Sequence, residues 1–251
     1  MIDQSAPELE RRWLKRYGRR EQAGIQLLCF PYAGGSAGIF RHWSRLLPPH
    51  VELVAVQLPG RADRFLESPY ERMAPLLDDL IGVLGPVLGR PFACYGTSMG
   101  ARVAWALAHA LRERALPMPR ALYVTASAAP RLDNGSWRWE GRADGLEGYV
   151  REMGGTPDEV LAEPELVAAL LPTLRADLTV LSTHDFRPAT PLDVRIRAFA
   201  GVADDEAPPA RMRAWGDETS ARFDLDVLGC GHFADPNTER WMVEAISVDL
   251  A

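Results

Sequence analysis

Lysine is almost absent from this chain, where Lys15 stands alone beside 27 arginines. Asparagine and isoleucine are also sparse, a bias that fits a GC-rich coding sequence better than selection for guanidinium forks, so most arginines read as solvated surface. The formal charge is -6 and the pI about 5.5, without the basic excess that a polyanionic backbone attracts, which argues against a DNA or RNA partner. No run of about 18 apolar residues occurs, so no membrane span is expected. The charges Arg11, Arg12, Lys15, Arg16, Arg19 and Arg20 are not followed by an apolar core, so no secretory leader is read and a cytoplasmic location is expected. Cys29, Cys94 and Cys230 are an odd number, in or beside apolar strand-like segments, and none has metal-ligand spacing. They read as small core residues, lacking the electropositive, partly exposed setting of a reactive thiolate.

What is present is a long alternation of strand and helix signals. A chain of 251 residues can bury one large core, and residues 1–251 are expected to form one domain. Ile25 to Phe30 reads as a strand, followed by the glycine-rich loop Pro31-Tyr32-Ala33-Gly34-Gly35-Ser36-Ala37-Gly38 and a helix through Trp43 to Leu47. Val51 to Val56 is a second strand, broken by Gln57-Leu58-Pro59-Gly60-Arg61, and apolar spacing predicts a helix over Tyr70 to Leu88. Phe92 to Thr97 and Ala121 to Thr125 add strands around a helix over Met99 to Arg114; sheet-like sequence resumes at Val194 to Ala200 and Phe223 to Leu228, with helices over Ala207 to Trp215 and Pro236 to Val248. Such alternation predicts a mostly parallel sheet with helices on both faces.

The alternation lapses over about 129–191, which holds Trp137, Trp139 and helical stretches near Leu146 to Met153, Pro157 to Leu161 and Pro164 to Leu181. An insertion there would sit above the carboxyl ends of the strands, where open α/β sheets bind ligands, and is read as a lid.

The chemistry centres on Phe92-Ala93-Cys94-Tyr95-Gly96-Thr97-Ser98-Met99-Gly100-Ala101, an apolar strand entering a helix through Gly-x-Ser-x-Gly. The bare pattern arises by chance in on the order of one chain in ten, but strand before and helix behind make it a nucleophile elbow, the signature of an α/β-hydrolase fold. A serine hydroxyl needs a histidine to take its proton and an acid to orient that histidine, in the chain order Ser, acid, His. His232, in Gly229-Cys230-Gly231-His232-Phe233 just past the last strand, is the candidate base. His42 and His109 fall on predicted helices and His50 just after one, while His184 at the end of a lid helix reads as solvated.

Three acids compete in Gly201-Val202-Ala203-Asp204-Asp205-Glu206. Asp204 is preferred because Gly-x-x-Asp spacing places it in the turn itself, whereas Asp205 and Glu206 suit the cap of the next helix; Asp205 remains the competitor. The oxyanion of acyl transfer needs preorganised donors, for which the backbone N–H groups of Met99 and Ala33 are the candidates.

Cys29-Phe30-Pro31-Tyr32-Ala33-Gly34-Gly35-Ser36, Leu58-Pro59-Gly60-Arg61, the Ser-Met-Gly-Ala elbow, Leu171-Pro172-Thr173-Leu174-Arg175-Ala176-Asp177 and Gly-x-His-Phe together make the chain similar, nearly end to end, to the type II thioesterases. These are free-standing editing hydrolases associated with polyketide synthases and nonribosomal peptide synthetases. The resemblance implies hydrolysis of acyl groups from the phosphopantetheine arms of acyl or peptidyl carrier proteins, with Ser98, Asp204 and His232 as triad and no metal or redox cofactor. This chain departs from the family pattern at Thr97, where His is more frequent, and at Ala234-Asp235-Pro236, where apolar residues are usual; its Asp204-Asp205 pair keeps both acids in play. An oxygen-ester hydrolase or lipase, an acyltransferase or cyclase, and a silent acyl-binding module are the rival readings. For docking an acidic carrier protein, Arg64, Arg131, Arg138, Arg142 and Arg187 are the candidate basic patch.

Overall fold

The computed structural model describes residues 5–132, 139, 141–156, 158–186 and 190–251. Its strands are β1 (Leu14–Arg16), β2 (Ile25–Phe30), β3 (Val51–Val56), β4 (Phe92–Thr97), β5 (Ala121–Thr125), β6 (Arg195–Gly201) and β7 (Phe223–Leu228). They form one sheet in the order β1, β3, β2, β4, β5, β6, β7, with β1 antiparallel to β3 and every other pair parallel. The helices are α1 (Ser5–Trp13), α2 (Met73–Val83), α3 (Gly85–Leu88), α4 (Met99–Glu113), α5 (Gly145–Met153), α6 (Asp158–Leu161), α7 (Pro164–Thr183), α8 (Pro209–Arg213) and α9 (Pro236–Asp249).

Parallel strands need crossovers, and crossovers cover both faces of the sheet, so the central strands carry apolar side chains on both sides. In β2, Leu28 and Phe30 face the layer built by α2 and α4, while Ile25, Leu27 and Cys29 face the 3-10 segment Ala37–Arg45 and α9. Ala101, Ala104 and Ala108 let α4 lie close against the strands. Because β2 leads to the layer of α9 and β4 to the layer of α4, the loops leaving their carboxyl ends diverge. The crevice between them is the topological switch point at which such sheets bind ligands.

Several elements differ from the sequence expectation, each for a local reason. The helix expected over Tyr70 to Leu88 is two helices: Pro86 has no N–H and its ring crowds the carbonyl four residues back, and α2 closes with the Leu84 N–H donating to the Ile81 carbonyl at 3.2 Å. The segment after the first glycine-rich loop is 3-10 over Ala37–Arg45, where three residues per turn align the buried Ala37, Phe40 and Trp43 on one face. The helix expected over Ala207 to Trp215 is the short α8 followed by a 3-10 turn at Ala214–Glu218, which buries Trp215 with its Nε1–H on the Ser127 carbonyl at 2.7 Å. The charged lead-in forms α1 and the edge strand β1. Between β5 and β6 the described parts of the insertion are the 3-10 turn Pro130–Leu132, α5, α6 and α7; Trp137 and Pro157 lie outside the described residues.

His109 on α4 is 8% exposed, packed 4.2 Å from the Trp105 ring, with its Nδ1 accepting from Arg112 Nη2 at 3.0 Å. Burial, reinforced by the Arg112 charge, pulls its pKa down to about 4. A histidine held neutral in the fold but free to charge at about 6.5 when unfolded contributes stability that is complete above that pH and is lost as pH falls toward 4. The denaturant midpoint is therefore expected to drop between pH 7 and 5, with a shallower drop in His109→Gln; identical pH slopes would contradict this.

Candidate active site

The elbow is a contact between backbones. Ser98 sits at φ 53° and ψ -118°, in the left-handed half of backbone space that L side chains rarely adopt. A Cβ on Gly96 would lie 2.3 Å from the Gly100 carbonyl oxygen, and a Cβ on Gly100 would lie 2.2 Å from that of Phe30. Only glycine allows β4, α4 and the end of β2 to meet there, and the turn projects Ser98 into the crevice. Thr97 closes β4 opposite Thr125 of β5, and the Ser98 N–H donates to the Thr125 carbonyl at 2.9 Å.

Two neighbouring strand ends deliver the other groups. β6 ends at Gly201, where a Cβ would lie 2.5 Å from both the Cys230 and Gly231 carbonyl oxygens, so the loop carrying His232 packs directly on it. Asp204 is 2% exposed, and its Oδ1 accepts backbone N–H groups from Glu206 and Ala207, each at 3.0 Å. His232 Nδ1 lies 3.1 Å from each Asp204 oxygen, and its Nε2 lies 3.2 Å from Ser98 Oγ. Burial alone would raise the Asp204 pKa, but His232 and the two backbone donors outweigh it and hold the carboxyl below its ordinary range. With Asp204 ionised, the imidazole proton belongs on Nδ1, leaving Nε2 to accept from the serine hydroxyl. Asp205 is exposed to solvent. All three cysteine thiols are pushed up by burial, away from the thiolate.

The N–H groups of Ala33 and Met99 make no hydrogen bond among the described residues, whereas Gly34, next to Ala33, donates to Asp177 of α7 at 2.7 Å. Ser98, His232 and Ala33 border a cavity of about 470 Å³, walled largely by Val150, Met153, Leu171, Leu174, Leu178 and Leu181 from the insertion. α7 has the length and apolarity to cross a membrane, but here Leu171, Leu174, Leu178 and Leu181 line that cavity. Its adjacent face carries Thr173 and Asp177, one turn apart. Thr173 Oγ1 donates to the Gly60 carbonyl at 2.5 Å, and Asp177 receives both terminal nitrogens of Arg61 at 2.6 and 2.7 Å. On the other side, Phe233 packs edge-on against Tyr32, with ring centroids 5.0 Å apart, and leaves no room for a Cβ on Gly155. Among the described residues no cluster of three or more His, Cys, Asp or Glu side chains could hold a metal.

The model of the thioesterase domain family matches residues 25–246. The chain belongs to the thioesterase domain family. As a thioesterase it is a hydrolase of acyl thioesters. It is 37% identical to the Brevibacillus parabrevis protein named linear gramicidin dehydrogenase LgrE over 227 residues, covering 88% of this chain and 86% of that protein. The solved structure of RedJ, the thioesterase of the prodiginine biosynthetic pathway in Streptomyces coelicolor, matches with a TM-score of 0.85 at 34% identity, over 92% of this chain and 87% of that one. BorB, a type II thioesterase from the borrelidin biosynthetic cluster, matches with a TM-score of 0.84 at 33% identity, over 95% and 98%. The resemblance to type II thioesterases and the α/β-hydrolase fold both hold.

The structure gives other residues singled out in the sequence of this thioesterase a specific setting. Arg64 is buried over the Trp13 ring and pairs with Glu67, Arg131 pairs with Asp217 and Glu218, and Arg142 with Asp144 and Glu152, so these three are spent on local ion pairs. Arg138 and Arg187 lie outside the described residues. His184 is half-buried, edge-on to Phe186 at 4.5 Å, and away from the cavity wall. The departure at Ala234-Asp235-Pro236 is a helix start: Asp235 accepts the Asn237 and Thr238 N–H groups, and Pro236 occupies the first turn of α9. Sequence reading assigned no role to Arg61 or Asp177, although both stand inside the segments that carried the resemblance.

The close approach at Gly201 predicts that Gly201→Ala costs about 1–3 kcal/mol of stability, as overpacking does, and displaces the His232 loop with loss of thioester hydrolysis. Gly229→Ala, whose Cβ meets nothing within 4 Å, should leave both near wild type. Equal melting temperatures and rates in the two variants would refute the contact argument.

Proposed function

We propose that this thioesterase clears acyl groups from the phosphopantetheine arms of carrier proteins serving a polyketide or nonribosomal peptide synthase, with Ser98 as nucleophile, His232 as base and Asp204 as its orienting acid. The supporting observation is the relay of Ser98 Oγ, His232 and Asp204 at 3.2 and 3.1 Å, opening on an apolar cavity. Ser98 Oγ bonds to the thioester carbonyl carbon while its proton passes to His232 Nε2. The oxygen acquires negative charge, and the Ala33 and Met99 N–H groups are the donors that meet it. The C–S bond then breaks, and the leaving sulfur takes the proton from Nε2.

Water repeats the sequence in reverse roles. His232 accepts its proton, the hydroxyl adds to the acyl carbon, the C–Oγ bond breaks, Ser98 regains a proton, and the free acid departs. The cavity volume, about 470 Å³, is of the size that holds a small molecule. An acyl chain on a slender arm can enter it, with the helices of the insertion acting as the lid. The dehydrogenase name of LgrE points to another chemistry, and the Ser98–His232–Asp204 geometry is what favours acyl transfer here.

Ser98→Ala and His232→Ala are expected to lose acyl release while keeping the melting temperature. Asp204→Asn should lose on the order of 10³- to 10⁴-fold in kcat, by presenting the wrong tautomer, and Asp205→Asn little. Comparable losses at the two aspartates would overturn the choice of acid. Short acyl groups on carrier proteins should be cleared faster than matched oxygen esters; cleavage of oxygen esters with the carriers left intact would instead indicate a general esterase.

A further inference from the structure

Asp177 and Arg61 are 116 residues apart and form a buried, bidentate ion pair with 2% and 5% of their side chains exposed. Neither belongs to the Ser–His–Asp relay. Asp177 Oδ2 also accepts the Gly34 N–H at 2.7 Å, and Arg61 Nη1 also donates to the Gly35 carbonyl at 3.2 Å. Two neighbouring residues of the loop after β2 are thus held by the pair, the Gly34 N–H by the carboxylate and the Gly35 C=O by the guanidinium. The Ala33 N–H is one peptide upstream of this clamp.

The surroundings of the pair are built to hold it. Arg61 Nε donates to the Pro59 carbonyl at 3.2 Å, and its own carbonyl accepts from Gln57 Nε2 at 3.2 Å. Gln57 Oε1 accepts the Ala37 N–H at 2.9 Å, fastening the far end of the same loop. Gly60 and Ala62, on either side of Arg61, both have positive φ, so the backbone turns sharply on each side of this residue. Asp177 comes from α7, whose next face forms the cavity wall. A tether for α7 alone would need only the Arg61 contact; it would not need the carboxylate to reach the loop amide as well.

We propose that Asp177 and Arg61 are positioning residues that set the Ala33 N–H for the oxyanion, so that seating α7 over the cavity and organising the oxyanion hole are one event. The inference rests on the assignment of Ala33 as an oxyanion donor. A donor that matters only when charge develops on the substrate oxygen lowers kcat and kcat/KM together when it is displaced, and leaves KM in place. A tether that only shapes the cavity would change KM.

The test compares wild type, Asp177→Asn and the paired variant Arg61→Met/Asp177→Leu on an acyl thioester. The paired variant removes both charges at once, an exchange that buried ion pairs tolerate, and keeps the helix docked if Asp177→Asn fails to fold. Circular dichroism and a thermal melt establish folding. Displacement of the donor is expected to lower kcat about 10- to 100-fold with KM within about twofold. Inhibition by an acyl trifluoromethyl ketone, which forms an oxyanion on Ser98, should weaken by the same factor, while the free acid product binds unchanged. A folded variant with kcat and ketone affinity within about twofold of wild type, or with a rise in KM alone, would overturn the proposal. Failure of the wild type to hydrolyse any acyl thioester would instead remove the assignment on which it rests.

Discussion

The site depends on the contact of three backbone segments at the elbow. Gly96, Gly100 and the Phe30 carbonyl meet at distances that exclude any side chain, and Ser98 is held at positive φ between them. That contact fixes the start of α4, and with it the Met99 N–H. It also fixes where β2 ends, and so where the loop carrying Ala33 begins. Strain at one residue is sustained because the parallel sheet and two buried layers leave the turn no alternative path. The same solution recurs at Gly201, where the ends of β6 and β7 touch and bring Asp204 under His232.

The insertion then acts on a site already built by strand ends. Its leucines supply the apolar wall, and its polar face supplies Thr173 and Asp177 to the loops below. The structure is thereby divided between strand ends that place Ser98, His232 and Asp204, and a helix whose leucines wall the cavity beside them. Asp177 joins the two parts, being buried in the insertion and bonded to the loop after β2.

Much of the strand pattern was legible in the sequence because a strand buried on both faces is an unbroken apolar run. Ile25–Phe30, Val51–Val56, Phe92–Thr97 and Ala121–Thr125 fall where those largely apolar stretches begin and end, while Phe223–Leu228 is an edge strand carrying Asp224 and Asp226 and only partly buried. The helices were less legible: apolar spacing does not separate a 3-10 turn carrying Phe40 and Trp43 from an α-helix, and it ran through the break at Pro86. β1 is three residues of mixed polarity, of which only Leu14 is buried, and it gives no apolar run to read. Within the site, the serine was marked by its flanking glycines and the histidine by its place after the last strand. The acid was ambiguous because three carboxylates follow β6, and only the three-dimensional turn separates a buried Asp204 from an exposed Asp205. Arg61 and Asp177 stand inside segments that carried the resemblance, but a pair so distant in sequence has no periodicity to mark it, and an arginine-rich chain hides the arginine that meets Asp177. Of the arginines considered for a basic patch, Arg64, Arg131 and Arg142 have their charges matched by nearby acids, which composition alone does not reveal.

Acyl transfer through Ser98 can be caught by rapid quenching of the enzyme with an acyl carrier protein, followed by peptide mapping by mass spectrometry. A transient acyl adduct is expected on the peptide containing Ser98, rising before free acid appears and decaying as carrier is consumed. An adduct on Cys230, or steady release of acid with no covalent species at any time, would contradict it.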